Sequence, residues 1–324
     1  MTAVRDLVTV VIPAYNAADT IGETLHSVRA QTHFELEILV VDDGSSDPTQ
    51  AIVLEHAAAD SRVQLIRQRN SGVAAARNLG IERARGELIA PIDADDLWRA
   101  DKIERQLDAL RRGGDQVGLV YTWSALIDDR SQVIARSGRN LVEGDVARRM
   151  CRGNLVGNGS SPLMRKAAIV EAGGYDASLR ARSAQGCEDL KLYFAIAERH
   201  HFAVAPGYLT GYRQGQASMS SDVLQMSRSW EIVAAEILQR HPEFAADIEA
   251  GRIGLTRWLY RRAKESGRQT DALRLAWKLA RAAPQLAFRT MVSIPLRQTV
   301  RRWLGRVATE PRTRFGTSLG DGLR

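Results

Sequence analysis

Three short bursts of acidic residues stand out because carboxylates on a solvated surface are usually scattered among lysines and arginines. They are Asp42-Asp43-Gly44, Asp93-Ala94-Asp95-Asp96 and Glu188-Asp189. Carboxylates at i and i+2 on a loop suit one divalent cation beside a phosphate ligand. Magnesium and manganese take hard oxygen ligands and bridge to diphosphate oxygens. Asp93-Ala94-Asp95 has that spacing, and its alternative reading is a helix N-cap made by Asp95 or Asp96. Asp42-Asp43-Gly44 reads as a tight turn or as an Asp at a strand end that accepts the imide N–H of a uracil. Glu188-Asp189 opens a helix, where it either complements the dipole or supplies a general base. Asn158-Gly159-Ser160 matches a glycosylation sequon, but no secretory signal accompanies it.

The elements that would position these residues follow a βα alternation. Val8 to Ile12 is a β-branched run closed by Pro13, and Leu36 to Val41 is a second, so both read as strands buried on two faces. Between them Asp19 can cap a helix with Ile21, Leu25 and Val28 on one side. After the second run, Asp47-Pro48 reads as an N-cap with proline at the first helical position. Val63 to Ile66 predicts a third strand, Val73 to Arg85 a helix, and Glu87 to Ile92 a fourth strand running into Asp93. Strands alternating with helices imply a parallel sheet whose ligands sit beyond the strands' carboxyl ends. The loops after strands one, two and four should therefore converge. Further along, an amphipathic helix (Ile103, Leu107, Leu110), a strand over Gly118–Ala125, an irregular Gly153–Ser161 stretch, a helix over Glu188–Glu198 and a strand over Phe202–Ala205 are expected. Trp98, Tyr121 and Trp123 read as core or rim packing, with cofactor or sugar platforms as the alternative.

Length and charge bound the rest. The 324 residues, 44% apolar and 26% charged, describe a folded chain of about two domains rather than a disordered or collagenous one. No apolar run reaches the roughly 18–20 residues that span a bilayer, and residues 1–15 lack the order of a signal peptide, so a cytoplasmic protein is expected. Cys151 and Cys187 are too few for a disulfide framework, and the six His residues form no zinc set. GxGxxG, GxxxxGK[ST] and GxSxG are all absent, which removes the dinucleotide, P-loop and hydrolase readings. The net charge of +7 is unevenly placed. Residues 226–324 hold 19 Lys/Arg against 9 Asp/Glu, leaving 26 against 29 in residues 1–225.

Taken in order, VTVVIPAYNAAD, LEILVVDDGSSDPT, NSGVAAARNLGIERARGELIAPIDADD and CEDLKLYFAIA resemble the family 2 glycosyltransferases of the GT-A fold, over about residues 7–215. The resemblance implies an α/β architecture with a Rossmann-like, mostly parallel sheet. It implies a donor-nucleotide site made by Pro13, Ala14 and Tyr15, with Asn16 shaping the turn. Asp43 would bind uracil with Asp42 as neighbour, and Arg77 and Asn78 would form an Arg-Asn pair near base and diphosphate. Asp93, through Ala94, would lie near the ribose, Asp95 with Asp93 would hold Mg²⁺ or Mn²⁺, and Asp189 would be the general base of an inverting transfer. Ala14 stands where many relatives carry Thr or Ser, so contact there would run through backbone. The chain lacks Gln-x-x-Arg-Trp and the membrane helices of the processive members, which favours transfer of a single sugar to a glycan or lipid-linked acceptor in bacterial surface polysaccharide synthesis. The alternatives are a sugar-phosphate nucleotidyltransferase, whose usual glycine-rich N-terminal loop is missing, and a non-catalytic scaffold.

The expected domains are a GT-A domain at 1–218, a basic helical subdomain at 219–308 and a disordered tail at 309–324. The helical part, with breaks near His241-Pro242, Gly267 and Ala283-Pro284, resembles no catalytic part of the family. Its apolar face packs on the catalytic domain, or it makes peripheral contact with anionic lipid near Leu286–Phe288 and Arg301–Leu304. A third reading is a single tetratricopeptide-like helix pair that binds a partner. No nucleic-acid motif accompanies the charge.

Overall fold

The two β-branched runs are strands without an exposed position, as expected of a sheet covered on both faces. The computed structural model describes residues 7–214, 222–291 and 313–316. In chain order the elements are β1 (Val8–Ala14), α1 (Ile21–Arg29), β2 (Leu36–Asp42), α2 (Thr49–Ala59), β3 (Val63–Arg67), α3 (Val73–Arg83), β4 (Leu88–Pro91), β5 (Leu97–Trp98), α4 (Lys102–Gly113) and β6 (Val117–Ile127). Then follow β7 (Val133–Arg136), α5 (Ala147–Cys151), β8 (Leu163–Arg165), α6 (Lys166–Glu171), α7 (Ser178–Ala181), α8 (Glu188–Ala197), β9 (His201–Arg213), α9 (Val223–Arg240), α10 (Ala245–Glu265) and α11 (Gln269–Ala282).

One sheet takes the order β3-β2-β1-β4-β8-β6-β9-β5, with β7 beside β6. β1 pairs in parallel with β2 and β4, and β2 with β3. β8 runs antiparallel to both β4 and β6, β9 parallel to β6, and β5 antiparallel to β9. The ends of β1, β2 and β4 thus point to one rim. Side chains alternate across β1. Val8, Val10 and Ile12 join the cluster under α1 and α4, while Val11 faces the opposite cluster with α3, α8 and α9.

Two caps differ from expectation. The N-cap of α1 is Thr20, not Asp19, and α2 begins at Thr49, one residue later than Asp47-Pro48 implies. Asp47 still accepts the Thr49 N–H at 3.1 Å, and its second oxygen accepts the Ala18 N–H at 2.9 Å. The carboxylate was therefore drawn into tying the first loop to the second.

The expected boundary near 218 lies outside the described residues. Beyond it, Trp230, Val233, Ala234 and Ile237 of α9 and Ile248 of α10 share the cluster that holds α8, which is the packing reading of the basic helices. Gly251 permits this approach, because a Cβ there would overlap the Cys151 carbonyl. Farther out, α10 and α11 build a smaller cluster around Leu259, Ala263, Ala272 and Leu275. Among the described residues no helix is long and apolar enough to cross a membrane. Part of the expected disordered tail is placed. The Val133 N–H donates to the Thr313 carbonyl at 3.0 Å, and the Phe315 N–H to the Ser131 carbonyl at 2.9 Å. Residues 309–312 and 317–324 lie outside the described set.

Candidate active site

The first two loops hold each other. Asn16 sits at φ 47°. Its N–H donates to Ser45 Oγ at 2.9 Å, and its Oδ1 accepts the Ser46 N–H at 2.9 Å. Asn16 so shapes the turn that leaves Tyr15 55% exposed on the rim. Pro13 and Ala14 remain in β1, opposite Val41 and Asp42. Asp43 accepts hydrogen bonds from Gln68 Nε2 (2.6 Å), the Ser71 N–H (2.7 Å) and the Gly72 N–H (2.8 Å). A carboxylate has about four acceptor positions, so one remains on Asp43 for an imide N–H. Its neighbour Asp42, fully buried, accepts from Gln50 Nε2 (2.7 Å) and the Ser45 N–H (3.2 Å) and so holds the loop.

Arg77 joins the distant acidic clusters. Its guanidinium donates to Asp93 at 2.5 Å and to Asp189 at 2.8 Å, and it lies 5.1 Å from the Tyr175 ring centroid. It is 2% exposed. Each terminal nitrogen gives one N–H to a carboxylate, which lets a buried cation exist at all. Its Nε has no partner. Asn78 donates from Nδ2 to the Tyr175 carbonyl (2.7 Å) and accepts the Tyr175 N–H at Oδ1 (2.9 Å), so it clamps Tyr175. Gly159 closes the group from above. A Cβ there would overlap the guanidinium and come within 3.1 Å of Asp189 Oδ2.

Burial pushes the Asp189 carboxyl up to about 6; Arg77 opposes the rise, and the charges of Asp93 and Glu188 add to it. Glu188 turns away and accepts the Gly186 N–H at 2.7 Å. Asp189 also starts α8, so its dipole role and a base role are compatible.

The loop after β4 is more buried than a helix cap would be. β5 follows it, and the N-cap of α4 is Asp101, so neither Asp95 nor Asp96 caps a helix. Asp96 accepts from Ser160 Oγ at 2.5 Å and the Arg213 N–H at 2.8 Å, while the Asp93 N–H donates to the same Ser160 Oγ at 2.9 Å. Arg213 Nε donates to the Asp95 carbonyl at 2.6 Å, and Thr24 Oγ1 to that of Ala94 at 3.0 Å. With its backbone fixed, the Asp95 carboxylate accepts no hydrogen bond from another side chain among the described residues. Burial, with the neighbouring Asp93 charge, lifts it to about 6. A half-buried carboxylate without a cation partner fits a hard divalent ion. Among the described residues no three His, Cys, Asp or Glu side chains form a full cage, so phosphate oxygens and water would have to complete the shell.

The structure thus brings Asp93, Arg77 and Asp189 into one group, with Asp95 two residues from Asp93 on the same loop. Arg213, Ser160, Gly159 and Tyr175 escaped the sequence reading as individual residues. Ser160 had a signal only as the third position of the sequon, whose Asn158 is buried and donates to Ser124 Oγ at 2.7 Å.

This sheet order and its rim of strand-end carboxylates define the GT-A architecture of nucleotide-diphospho-sugar transferases. Residues 9–168 match the model described as Glycosyl transferase family 2, so this segment is similar to that family. TuaG of Bacillus subtilis (strain 168), named for teichuronic acid biosynthesis, is 44% identical over 109 residues, which is 33% of this chain and 43% of TuaG. WfgD of Escherichia coli, named as a UDP-Glc:alpha-D-GlcNAc-diphosphoundecaprenol beta-1,3-glucosyltransferase, is 38% identical over 128 residues, 39% of this chain and 49% of WfgD. The alignments therefore span less than half the length of either curated relative. The mannosyltransferase PcManGT from Pyrobaculum calidifontis, solved with GDP-Man and Mn²⁺, superposes with a TM-score of 0.61 at 20% identity, over 94% of this chain and 84% of that one. At that identity the likeness shows the fold alone.

Proposed function

We propose that the protein transfers a single sugar, with inversion, from a nucleotide diphosphate sugar to a glycan or lipid-linked acceptor in bacterial polysaccharide biosynthesis. The observation that carries this reading is the meeting of Asp93 and Asp189 on Arg77, because it sets a strand-end carboxylate of the donor rim beside a candidate base. The acceptor hydroxyl gives its proton to Asp189 as its oxygen bonds to the sugar C1. The C1–O bond to the diphosphate breaks, its electron pair leaves with the diphosphate, and one in-line displacement inverts the centre. Arg77 holds Asp189 in place, and the remaining acceptor position of Asp43 suits a uracil imide. Asp95 with Asp93 would hold Mg²⁺ or Mn²⁺, which would supply charge neutralisation to the leaving diphosphate. The UDP-Glc donor in WfgD's name supports the uracil assignment.

The test is the thermal shift of the full chain with UDP, GDP, dTDP and CMP, each with and without Mn²⁺. A ligand at about 100 times its Kd stabilises by roughly 2.7 kcal/mol. A metal-dependent shift with UDP is expected, and no shift with any nucleotide overturns the donor site. The relatives' lipid-linked chemistry also favours membrane proximity. Leu273, Trp277 and Phe288 are exposed beside Arg274 and Arg281 on or just after α11. Co-sedimentation with anionic vesicles that is lost on Trp277→Glu is the expected outcome, and equal sedimentation removes the peripheral contact.

A further inference from the structure

Asp189 opens onto a cavity of about 410 Å³ whose far wall is not part of the sheet at all. That wall is Gly251, Gly254, Leu255 and Trp258 of α10 with Trp230 of α9. A second cavity of about 480 Å³ lies beyond it, against Trp123, Ser124, Ser137 and Asn140. The two share Asn154, Gly157, Asn158, Tyr212, Met226 and Trp258 as lining. They are therefore two chambers of one cleft, each within the roughly 300–1,000 Å³ of small-ligand sites. Trp258 stands on the ridge between them, 44% exposed.

We infer that the second chamber is a distal acceptor subsite that takes a neutral sugar unit, so that the acceptor is a chain of at least two sugars and α10 helps to select it. The inference rests on the reading of Asp189 as base, which puts the hydroxyl-bearing sugar in the first chamber. The chemistry of the second chamber is that of carbohydrate recognition. Indole rings can cover the C–H face of a pyranose ring, and the remaining polar walls are mostly neutral hydroxyls and amides. Among the described residues that line it, only Arg262 and Glu265, of opposite sign, carry charge. Arg262 is engaged: it lies 5.5 Å from the Trp258 ring centroid and donates to Gln214 Oε1 at 2.9 Å. The chamber thus offers no net cationic surface to a lipid diphosphate. Trp123, 8% exposed at the chamber wall, is fixed in place: its Nε1 donates to the Asn140 carbonyl at 2.8 Å, its ring leans on Tyr208, and the Arg139 guanidinium lies 5.9 Å from its centroid.

The experiment is ¹⁹F NMR of the full chain labelled with 5-fluorotryptophan, titrated with glucose, N-acetylglucosamine, cellobiose, chitobiose and farnesyl diphosphate. The two disaccharides should move the Trp123 and Trp258 resonances together and bind about tenfold more tightly than the monosaccharides, the gain of one aromatic contact. Trp258→Ala should remove that gain. Gly138→Phe tests the far chamber without disturbing the core, since a Cβ on Gly138 meets nothing within 4 Å; it should weaken disaccharides and spare monosaccharides. The subsite is overturned by disaccharides that bind no better than monosaccharides, by a gain that survives both variants, by no saccharide moving either resonance, or by farnesyl diphosphate moving both in their place. Asp189→Asn separates the two readings. If it still transfers sugar, the base assignment falls, and the disaccharide titration stands or falls independently of it.

Discussion

The donor rim and the acceptor cleft are built from different kinds of information. On the rim, carboxylates at strand ends are fixed by hydrogen bonds, as when Asp43 takes the Ser71 and Gly72 N–H groups and Asp96 takes the Arg213 N–H and Ser160 Oγ. In the cleft, walls come from the 153–159 loop, the start of α8 and the face of α10, three segments far apart in the chain. A site made of strand ends tolerates little change in type or spacing, whereas a cleft between helices can be relined by single side chains. Chemistry should then reside in the rim and in Asp189, and acceptor choice in α10.

The largest effect that could break this division is on Asp189. Asp189→Asn should lower transfer by about 10²–10⁴, the usual range for a positioned base, while the metal-dependent thermal shift with UDP stays. A variant that transfers normally removes Asp189 from the chemistry. Next is Asp95→Ala, which should abolish the Mn²⁺-dependent part of the nucleotide shift. Nucleotide binding that is equally metal-dependent in this variant would move the metal elsewhere.

This is also where the sequence was most and least informative. The strand ends and their acidic residues were readable because β-branched runs, prolines and Asp-Gly turns are local signals. The clamping bonds of Asp42 and Asn78 were not legible, because a polar residue beside a ligand-binding one can also hold the loop, and only the fold shows those bonds. Arg77 was legible as important, but its partners lie 16 and 112 residues away in the chain. Gly159 and Arg213 had no local signal, since their roles exist only once α8 and β9 are folded against the loop after β4.

A smaller effect sharpens the comparison through pH. With its carboxyl raised to about 6, Asp189 is a competent base only above that value, so transfer should fall about tenfold per pH unit below it. Stability runs the other way. A raised acid contributes stability that is full below its ordinary value of 3.8 and is lost as pH rises through about 6. Asp95 titrates in the same range, but there protons compete with metal, so its limb should move with Mn²⁺ concentration. If the whole profile moves with Mn²⁺, the limb belongs to the rim and not to Asp189.

The smallest effects set two glycines against each other. Both line the first chamber, yet a methyl on Gly254 meets nothing within 4 Å, whereas one on Gly159 presses on Arg77 and Asp189. Gly254→Ala should stabilise the chain by up to about 1 kcal/mol, because alanine loses less backbone freedom in a helix, and leave the UDP shift unchanged. Gly159→Ala should cost about 1–3 kcal/mol, as overpacking does, and slow transfer in addition, since the guanidinium cannot retreat without releasing a buried carboxylate. Denaturant midpoints and transfer rates on the pair decide the matter. Equal behaviour would mean that the Arg77 bridge is slack enough to shift, and that the rim and the cleft are less tightly joined than their shared arginine implies.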